Sequence, residues 1–234
     1  MNTAIVLCAG RGKRLKPHTD KTPKPLLPIA GKPTLDFILE SLVIAGVTNV
    51  VLVTHHLAEQ IHTYSQQQKY LPLNNITCVE QTQLAGTADA ALAALDAKPD
   101  WFSNPFILTA SDYLVPELFY KLLVDAYKES GKAIAVSVKR LPDEALAARS
   151  SVRFDQLGNV LEVVEKPAAG TAPSNLSANL VFVLPPDIIT AIRQVEPSAR
   201  GEKEVQSAVN AYLKANGPGC ALEQATPAEW TPSS

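Results

Sequence analysis

Ala4-Ile5-Val6-Leu7-Cys8-Ala9-Gly10-Arg11-Gly12-Lys13-Arg14-Leu15-Lys16-Pro17 lies near the start of the chain and decides how the rest is read. Residues 4–8 form a short apolar run rich in β-formers and ended by glycine, the pattern of a buried strand. Glycines directly after a strand let the backbone bend tightly, with amide N–H groups pointing into the bend. Arg and Lys alongside supply charge and forked donors, so the combination suits phosphate. In an open α/β sheet such a turn sits at the carboxyl end of the strands, where ligands bind. A dinucleotide fingerprint is excluded, because Leu15 stands where glycine or alanine is needed and Pro17 interrupts the helix. A P-loop is excluded too, since it needs glycine where Leu7 stands and Ser or Thr where Arg14 follows Lys13. From this segment alone, an ordinary Gly-rich turn stays open.

Outward from the loop, the first two-thirds of the chain alternates strand and helix. Leu35, Ile38, Leu39, Leu42 and Ala45 share one face at helical spacing, with Thr34 as cap and Gly46 as stop. Strands are expected at residues 49–54, 76–79 and 105–109, and helices at 57–68 and 87–97. A further helix should start with Pro116 at its first position and end near Gly131. This alternation implies right-handed crossovers and a mostly parallel sheet. Residues 133–138, 152–154 and 160–164 are closely spaced strand candidates, with Gly158-Asn159 as a turn. Helices at 187–195 and 202–215 follow. No repeat, low-complexity tract or linker divides the chain, so residues 1–234 read as a single domain.

Composition narrows the partners. The 234 residues are 46% hydrophobic and 19% charged with a net charge of -2, which suits one well-cored domain and gives no reason to expect nucleic acid. The cations that do cluster, from Arg11 to Lys32, suggest a small anionic ligand, with a solvated basic loop as the alternative. No stretch has membrane-spanning length and no secretory leader is visible. Cys8, Cys78 and Cys220 are scattered and odd in number, which argues against a disulfide framework or zinc site and fits a reducing cytoplasm. Cys8 and Cys78 read as buried, inert thiols. His55 and His56 are adjacent on or after a strand and point to opposite sides, so they do not share a metal. His18 and His62 read as surface residues.

The basic loop continues as Thr22-Pro23-Lys24-Pro25-Leu26-Leu27-Pro28-Ile29-Ala30-Gly31-Lys32-Pro33. Proline on each side of Lys24 restricts its backbone and makes the lysine a well-placed point charge. Residues 7–15 followed by Pro23-Lys24-Pro25-Leu26-Leu27-Pro28 resemble the opening of the sugar-1-phosphate nucleotidyltransferase family, which includes glucose-1-phosphate thymidylyltransferases and N-acetylglucosamine-1-phosphate uridylyltransferase domains. The resemblance continues in order. Gln81 with Gly86-Thr87-Ala88-Asp89-Ala90 is similar to the family's base-recognition strip, and Ser111-Asp112 to its metal-binding Asp. Val163-Val164-Glu165-Lys166-Pro167 is similar to its sugar-facing strand, and Arg200-Gly201-Glu202-Lys203-Glu204 to its late helix start.

The resemblance implies a three-layer, Rossmann-like α/β fold with a mostly parallel sheet, helices on both faces and a small antiparallel elaboration. It implies a soluble enzyme joining a nucleoside triphosphate, UTP or dTTP before GTP, to a sugar-1-phosphate with release of pyrophosphate, and a homo-oligomer is compatible with it. Leu7, Ala9, Gly10, Gly12, Lys13 and Arg14 would hold the nucleotide, and Gln81, Gly86 and Thr87 would meet its base. Arg14, Lys24 and Lys166 would act on the reacting phosphates. Glu165, Lys166 and Asn179 would meet the sugar phosphate, and Asp112 would hold Mg²⁺. Such chemistry needs positioning and charge stabilisation rather than a protein nucleophile.

Two departures from the family pattern stand out. Ser177-Ala178-Asn179-Leu180-Val181-Phe182 lacks the glycine usual at the sugar-pocket strand, which leaves the sugar open. Ala228-Glu229-Trp230-Thr231-Pro232-Ser233-Ser234 lacks the Asp expected after the Trp, with Glu229 the nearest substitute. The chain ends too early for an acetyltransferase β-helix, so nucleotidyl transfer alone is expected. The alternatives are a cytidylyl- or uridylyltransferase acting on phosphocholine or N-acetylmuramic acid phosphate, and a non-catalytic nucleotide-sensing relative.

Overall fold

A computed structural model describes residues 1–67, 73, 75–198 and 200–224. The elements, in chain order, are β1 (Thr3–Leu7), β2 (Pro28–Ile29), β3 (Lys32–Pro33), α1 (Thr34–Ile44), β4 (Asn49–Thr54), α2 (Ala58–Ser65), β5 (Asn75–Glu80), α3 (Thr87–Ala97) and β6 (Phe106–Ala110). They continue with α4 (Phe119–Ser130), β7 (Ala135–Arg140), α5 (Asp143–Leu146), β8 (Ser150–Phe154), β9 (Val160–Glu165), β10 (Leu176–Leu184), α6 (Ile188–Arg193), α7 (Val205–Asn216) and β11 (Cys220–Glu223).

Seven strands form one sheet in the order β11-β7-β10-β6-β1-β4-β5. β1 pairs in parallel with both β4 and β6, β4 with β5, and β11 with β7, while β10 runs antiparallel to β6 and β7. All five residues of β1 are buried, as the unbroken apolar run requires of a strand covered on both faces. Successive side chains alternate between those faces. Ala4, Val6 and Cys8 join Leu35, Ile38, Leu39 and Leu42 of α1 and Phe119, Tyr120 and Leu123 of α4. Ile5 and Leu7 join Ala91 and Ala94 of α3, Ile188 of α6 and Val209 of α7. Helix layers on both sides of the sheet give the three-layer α/β architecture. The hairpin of β8 and β9 and the short β2–β3 pair are the antiparallel elaborations.

Several element bounds differ from the sequence expectation, each for a local reason. The helix expected from Pro116 starts at Phe119, because Pro116 opens a turn whose carbonyl accepts the Phe119 N–H at 2.8 Å. The helix expected from residue 202 starts at Val205, because both backbone groups of Lys203 are taken by another loop: its N–H donates to Ala85 O at 2.7 Å and its carbonyl accepts Ala88 N–H at 2.9 Å. The strand expected at 133–138 joins the main sheet as β7 rather than an elaboration. β11 has only four residues and no alternation to betray it, and β7 gives it its place. Of the helix expected at 57–68, α2 ends at Ser65, and Gln68 lies outside the described residues. Cys8 is buried and its thiol is pushed up in pKa by desolvation, while Cys78 is only half-buried.

Candidate functional site

One cavity of about 700 Å³ opens across the carboxyl ends of β1 and β6. Leu7, Ala9, Gly10, Arg11, Gly12, Lys13, Lys24, Gln81, Gly86, Thr87, Asp112 and Glu202 are in its wall, with Leu84, Ala90, Ala110, Ser111 and Leu180 filling the apolar and small positions. Four segments distant in sequence therefore meet at one sheet edge.

The glycine loop is braced from behind. Gly12 is left-handed at φ 61°, and a Cβ there would sit 2.7 Å from Thr19 Cγ2, so glycine answers both backbone and packing. Thr19 is buried and its hydroxyl donates to Gly12 O at 3.0 Å, while the Thr19 carbonyl is 2.9 Å from His56 Nε2. No pattern in the sequence singles out Thr19, since its role is to fill space behind a turn. His55 is held elsewhere, with Nδ1 2.7 Å from Gln81 O, and His18 and His62 are exposed.

Lys24 occupies a 3-10 turn at Lys24–Leu26 with Pro23 before it and buried Pro25 after it, so proline fixes the backbone on each side. Its ammonium is paired with Asp112. Asp112 follows β6, whose end is tied to β1 by the Ser111 N–H donating to Leu7 O at 3.1 Å. The pair brings a cation and a hard carboxylate to the same wall. Among the described residues no group of three or more His, Cys, Asp or Glu side chains is placed to hold a metal ion.

Gln81 is almost fully buried, and its amide nitrogen donates to Gly86 O at 3.0 Å and Asp89 Oδ2 at 2.9 Å. Gly86 adopts φ 122°, and a Cβ on it would lie 2.3 Å from Lys203 O. Thr87 Oγ1 accepts the Val205 N–H at 2.9 Å. The Gln81–Thr87 stretch and the segment leading into α7 are thus locked together. Ala90, one turn beyond Thr87 on the same helix face, reaches the cavity too, a position that helical spacing could have supplied.

The remaining candidates lie apart from this wall. Arg14 is exposed on a 3-10 turn between Lys13, which lines the large cavity, and Leu15, which lines an adjoining pocket of about 260 Å³ that shares Lys24, Ser111 and Asp112. Glu165 ends β9 half-buried, 3.8 Å from Arg200, whose guanidinium is also paired with Glu204. Burial raises the Glu165 pKa, nearby Glu204 and Glu202 add to the rise, and Arg200 opposes it. Lys166 is exposed with φ 46°. α7 steers this strand through Asn210, which exchanges two hydrogen bonds with the Val163 backbone at 2.8 and 2.9 Å.

Asn179 does not line the cavity. It is buried, and its Nδ2 donates to Ser137 Oγ and Gln224 Oε1, both at 3.1 Å. The register of β10 against β7 shifts between Ala178 and Phe182, and it is Leu180, inside that irregularity, that reaches the cavity. Glu229 lies outside the described residues.

A cation-rich glycine loop, a proline-held lysine and a carboxylate gathered at the sheet's carboxyl edge are the marks of an anion-handling α/β site. The chain belongs to the nucleotidyl transferase family, whose model matches residues 3–230. It is 31% identical over 242 residues to UTP–glucose-1-phosphate uridylyltransferase 2 of Staphylococcus saprophyticus, covering 91% of this chain and 81% of that one. It is 31% identical over 211 residues to the bifunctional protein GlmU of Methanocaldococcus jannaschii, where it covers 90% of this chain but 47% of the relative. At 30% identity over 211 residues it matches the low-salt glycan biosynthesis nucleotidyltransferase Agl11 of Haloferax volcanii, covering 90% of this chain and 57% of that one. A UDP-glucose pyrophosphorylase structure shares the fold at a TM-score of 0.84 and 22% identity, over 96% of this chain and 90% of that one.

Proposed function

We propose that this protein is a single-domain sugar-1-phosphate nucleotidyltransferase that uses UTP. The observation that carries the reading is the one cavity that brings Gly10, Gly12, Lys13, Lys24, Gln81, Gly86 and Asp112 together. The uridylyltransferase names of relatives such as that of Staphylococcus saprophyticus make UTP and glucose-1-phosphate the first substrate pair to test. Three free cysteines are consistent with a reducing, cytoplasmic setting, and no described helix is long and apolar enough to cross a membrane.

In this reading a phosphate oxygen of the sugar-1-phosphate attacks the α-phosphorus of UTP. The bond from that phosphorus to the bridging oxygen breaks, and pyrophosphate leaves with its electron pair. Both reactants are anions, so the obstacle is like-charge repulsion and the charge that builds on the phosphoryl oxygens. The glycine loop would wrap the triphosphate with backbone N–H groups, and Lys13 and Arg14 would neutralise it. Lys24 would leave Asp112 and bridge the reacting phosphates. Leu7, Ala9, Gln81, Gly86 and Thr87 would shape the uracil and ribose pocket. Glu165 would accept a sugar hydroxyl and Lys166 would hold the sugar phosphate.

Asp112 suits Mg²⁺. It offers one hard carboxylate beside a phosphate-sized cavity, and Mg²⁺ is often held by one or two carboxylates plus substrate phosphates and water. When bound there, the ion would supply charge neutralisation and orientation of the phosphates.

The test is pyrophosphate release in the presence of Mg²⁺, crossing each common nucleoside triphosphate with a panel of sugar-1-phosphates and phosphocholine. Turnover with UTP and a hexose-1-phosphate that collapses in Lys24→Ala is the expected result. No turnover with any pair, nucleotide binding intact, would overturn the reading in favour of a sensor.

A further inference from the structure

Lys166 is one of three non-glycine residues with positive φ, at 46°, a conformation that side chains with a Cβ hold only when the surroundings enforce it. Its N–H donates to Arg149 O at 2.7 Å. This bond extends by one residue the ladder that pairs Ser150 with Glu165, so Arg149 is the residue that faces Lys166 at the end of the hairpin. The Arg149 side chain crosses in the other direction and hydrogen-bonds the phenol of Tyr113. Tyr113 directly follows Asp112 and packs against the core under α1 and α4. Its phenol also lies in the field of the Asp112 and Glu165 carboxylates.

One pair of side chains therefore ties the end of β6, which carries Asp112, to the tip of the β8–β9 hairpin, which carries Glu165 and Lys166. Elsewhere the hairpin is anchored behind the site, through Ser150 Oγ to Ala178 O at 2.9 Å and Ser151 Oγ to Ser174 O at 2.7 Å. Those contacts hold its base and leave the advance of its tip toward Asp112 undefined. A phenol whose ring is packed in the core is a stiff anchor with a polar tip, and guanidinium is a directional donor, so the bond between them fixes a distance. We propose that Tyr113 and Arg149 are positioning residues, a strut that sets how far the Lys166 backbone stands from Asp112 and thereby governs acceptor recognition.

The kinetic consequence rests on the uridylyltransferase reading, whereas the strut itself does not. The experiment compares the parent with Tyr113→Phe, Arg149→Ala, Arg149→Lys and the Tyr113→Phe/Arg149→Ala double variant. Amide hydrogen exchange reads the strut, with the Lys166 amide as reporter and α1 amides as internal reference. Each single removal should speed exchange at Lys166 by about tenfold and leave α1 unchanged. The sugar-phosphate KM should rise by about tenfold with the UTP KM altered less than about twofold, the double variant should be no worse than either single, and Arg149→Lys should recover part of the loss. Unchanged Lys166 exchange, or additive losses in the double variant, would overturn the strut. Faster exchange with an unchanged acceptor KM would overturn its part in recognition. A parent that releases no pyrophosphate would defeat the uridylyltransferase reading, with the exchange data still deciding the strut.

Discussion

The bank of the cavity built by the glycine loop takes Leu7, Ala9, Gly10, Arg11, Gly12, Lys13 and Lys24 from one short N-terminal stretch. The facing bank is assembled from Gly86, Leu180 and Glu202, with Glu165 and Arg200 beyond them. On the first bank, backbone groups and fixed cations dominate, and glycine and proline determine where they point. On the second, no residue reaches its place through local sequence. Gly86 is positioned by Lys203, Glu165 by α7 through Asn210, and Leu180 by an irregularity in β10. A bank that binds the part common to every nucleoside triphosphate can be written as a local motif. A bank that distinguishes acceptors can be retuned by moving elements whose contacts are long-range.

The contrast can be broken most forcefully at Lys24. Lys24→Ala should lower turnover by about a thousandfold, the size expected when a charge on the reacting phosphates is removed. Its pair with Asp112 is partly exposed, so urea denaturation should show little change in stability. A large stability loss would make Lys24 a structural residue instead.

Gly86→Ala tests whether the two banks are mechanically joined. The added Cβ would collide with the Lys203 carbonyl, so turnover should fall by about a hundredfold and stability by roughly 3 kcal/mol. Measuring both is necessary, because a stable variant with weakened acceptor binding alone would place the junction in the second bank.

Glu165→Gln sharpens the second bank. The acceptor KM should rise by about tenfold with the UTP KM unaffected. The parent Glu165 carboxyl titrates above its ordinary range, so its carboxylate is lost early on acidification. The parent's acceptor KM should therefore climb in mildly acidic buffer and that of Glu165→Gln should stay flat. The sign for stability is opposite. A carboxyl with raised folded pKa contributes fully below its unfolded pKa, and that contribution is lost as pH rises through the folded pKa. At neutral pH the glutamine variant should unfold no sooner than the parent.

The smallest kinetic effect is expected at Asn179. Asn179→Ala removes the amide that joins Ser137 and Gln224, at about 1–3 kcal/mol of stability by urea denaturation, while the acceptor KM should change by less than about twofold. A selective KM rise with stability intact would return Asn179 to the sugar pocket.

Much of this molecule could be read before any coordinates. The buried run of β1, the helical face of α1 and the strand–helix alternation follow from the period of the apolar residues, because burial on a sheet or helix imposes that period wherever it occurs. The glycine loop and Lys24 were legible for a related reason: glycine and proline constrain their own backbone. The antiparallel course of β10, the pairing of β11 with β7 and the delayed start of α7 were not legible. Strand direction and order depend on partners far away in the chain, and the Lys203 backbone is extended only because Ala85 and Ala88 claim its hydrogen bonds. For Asn179 the residue itself says nothing of whether its amide faces a ligand or a neighbouring strand. That choice was made by the register of β10 against β7, which packing in three dimensions alone decides.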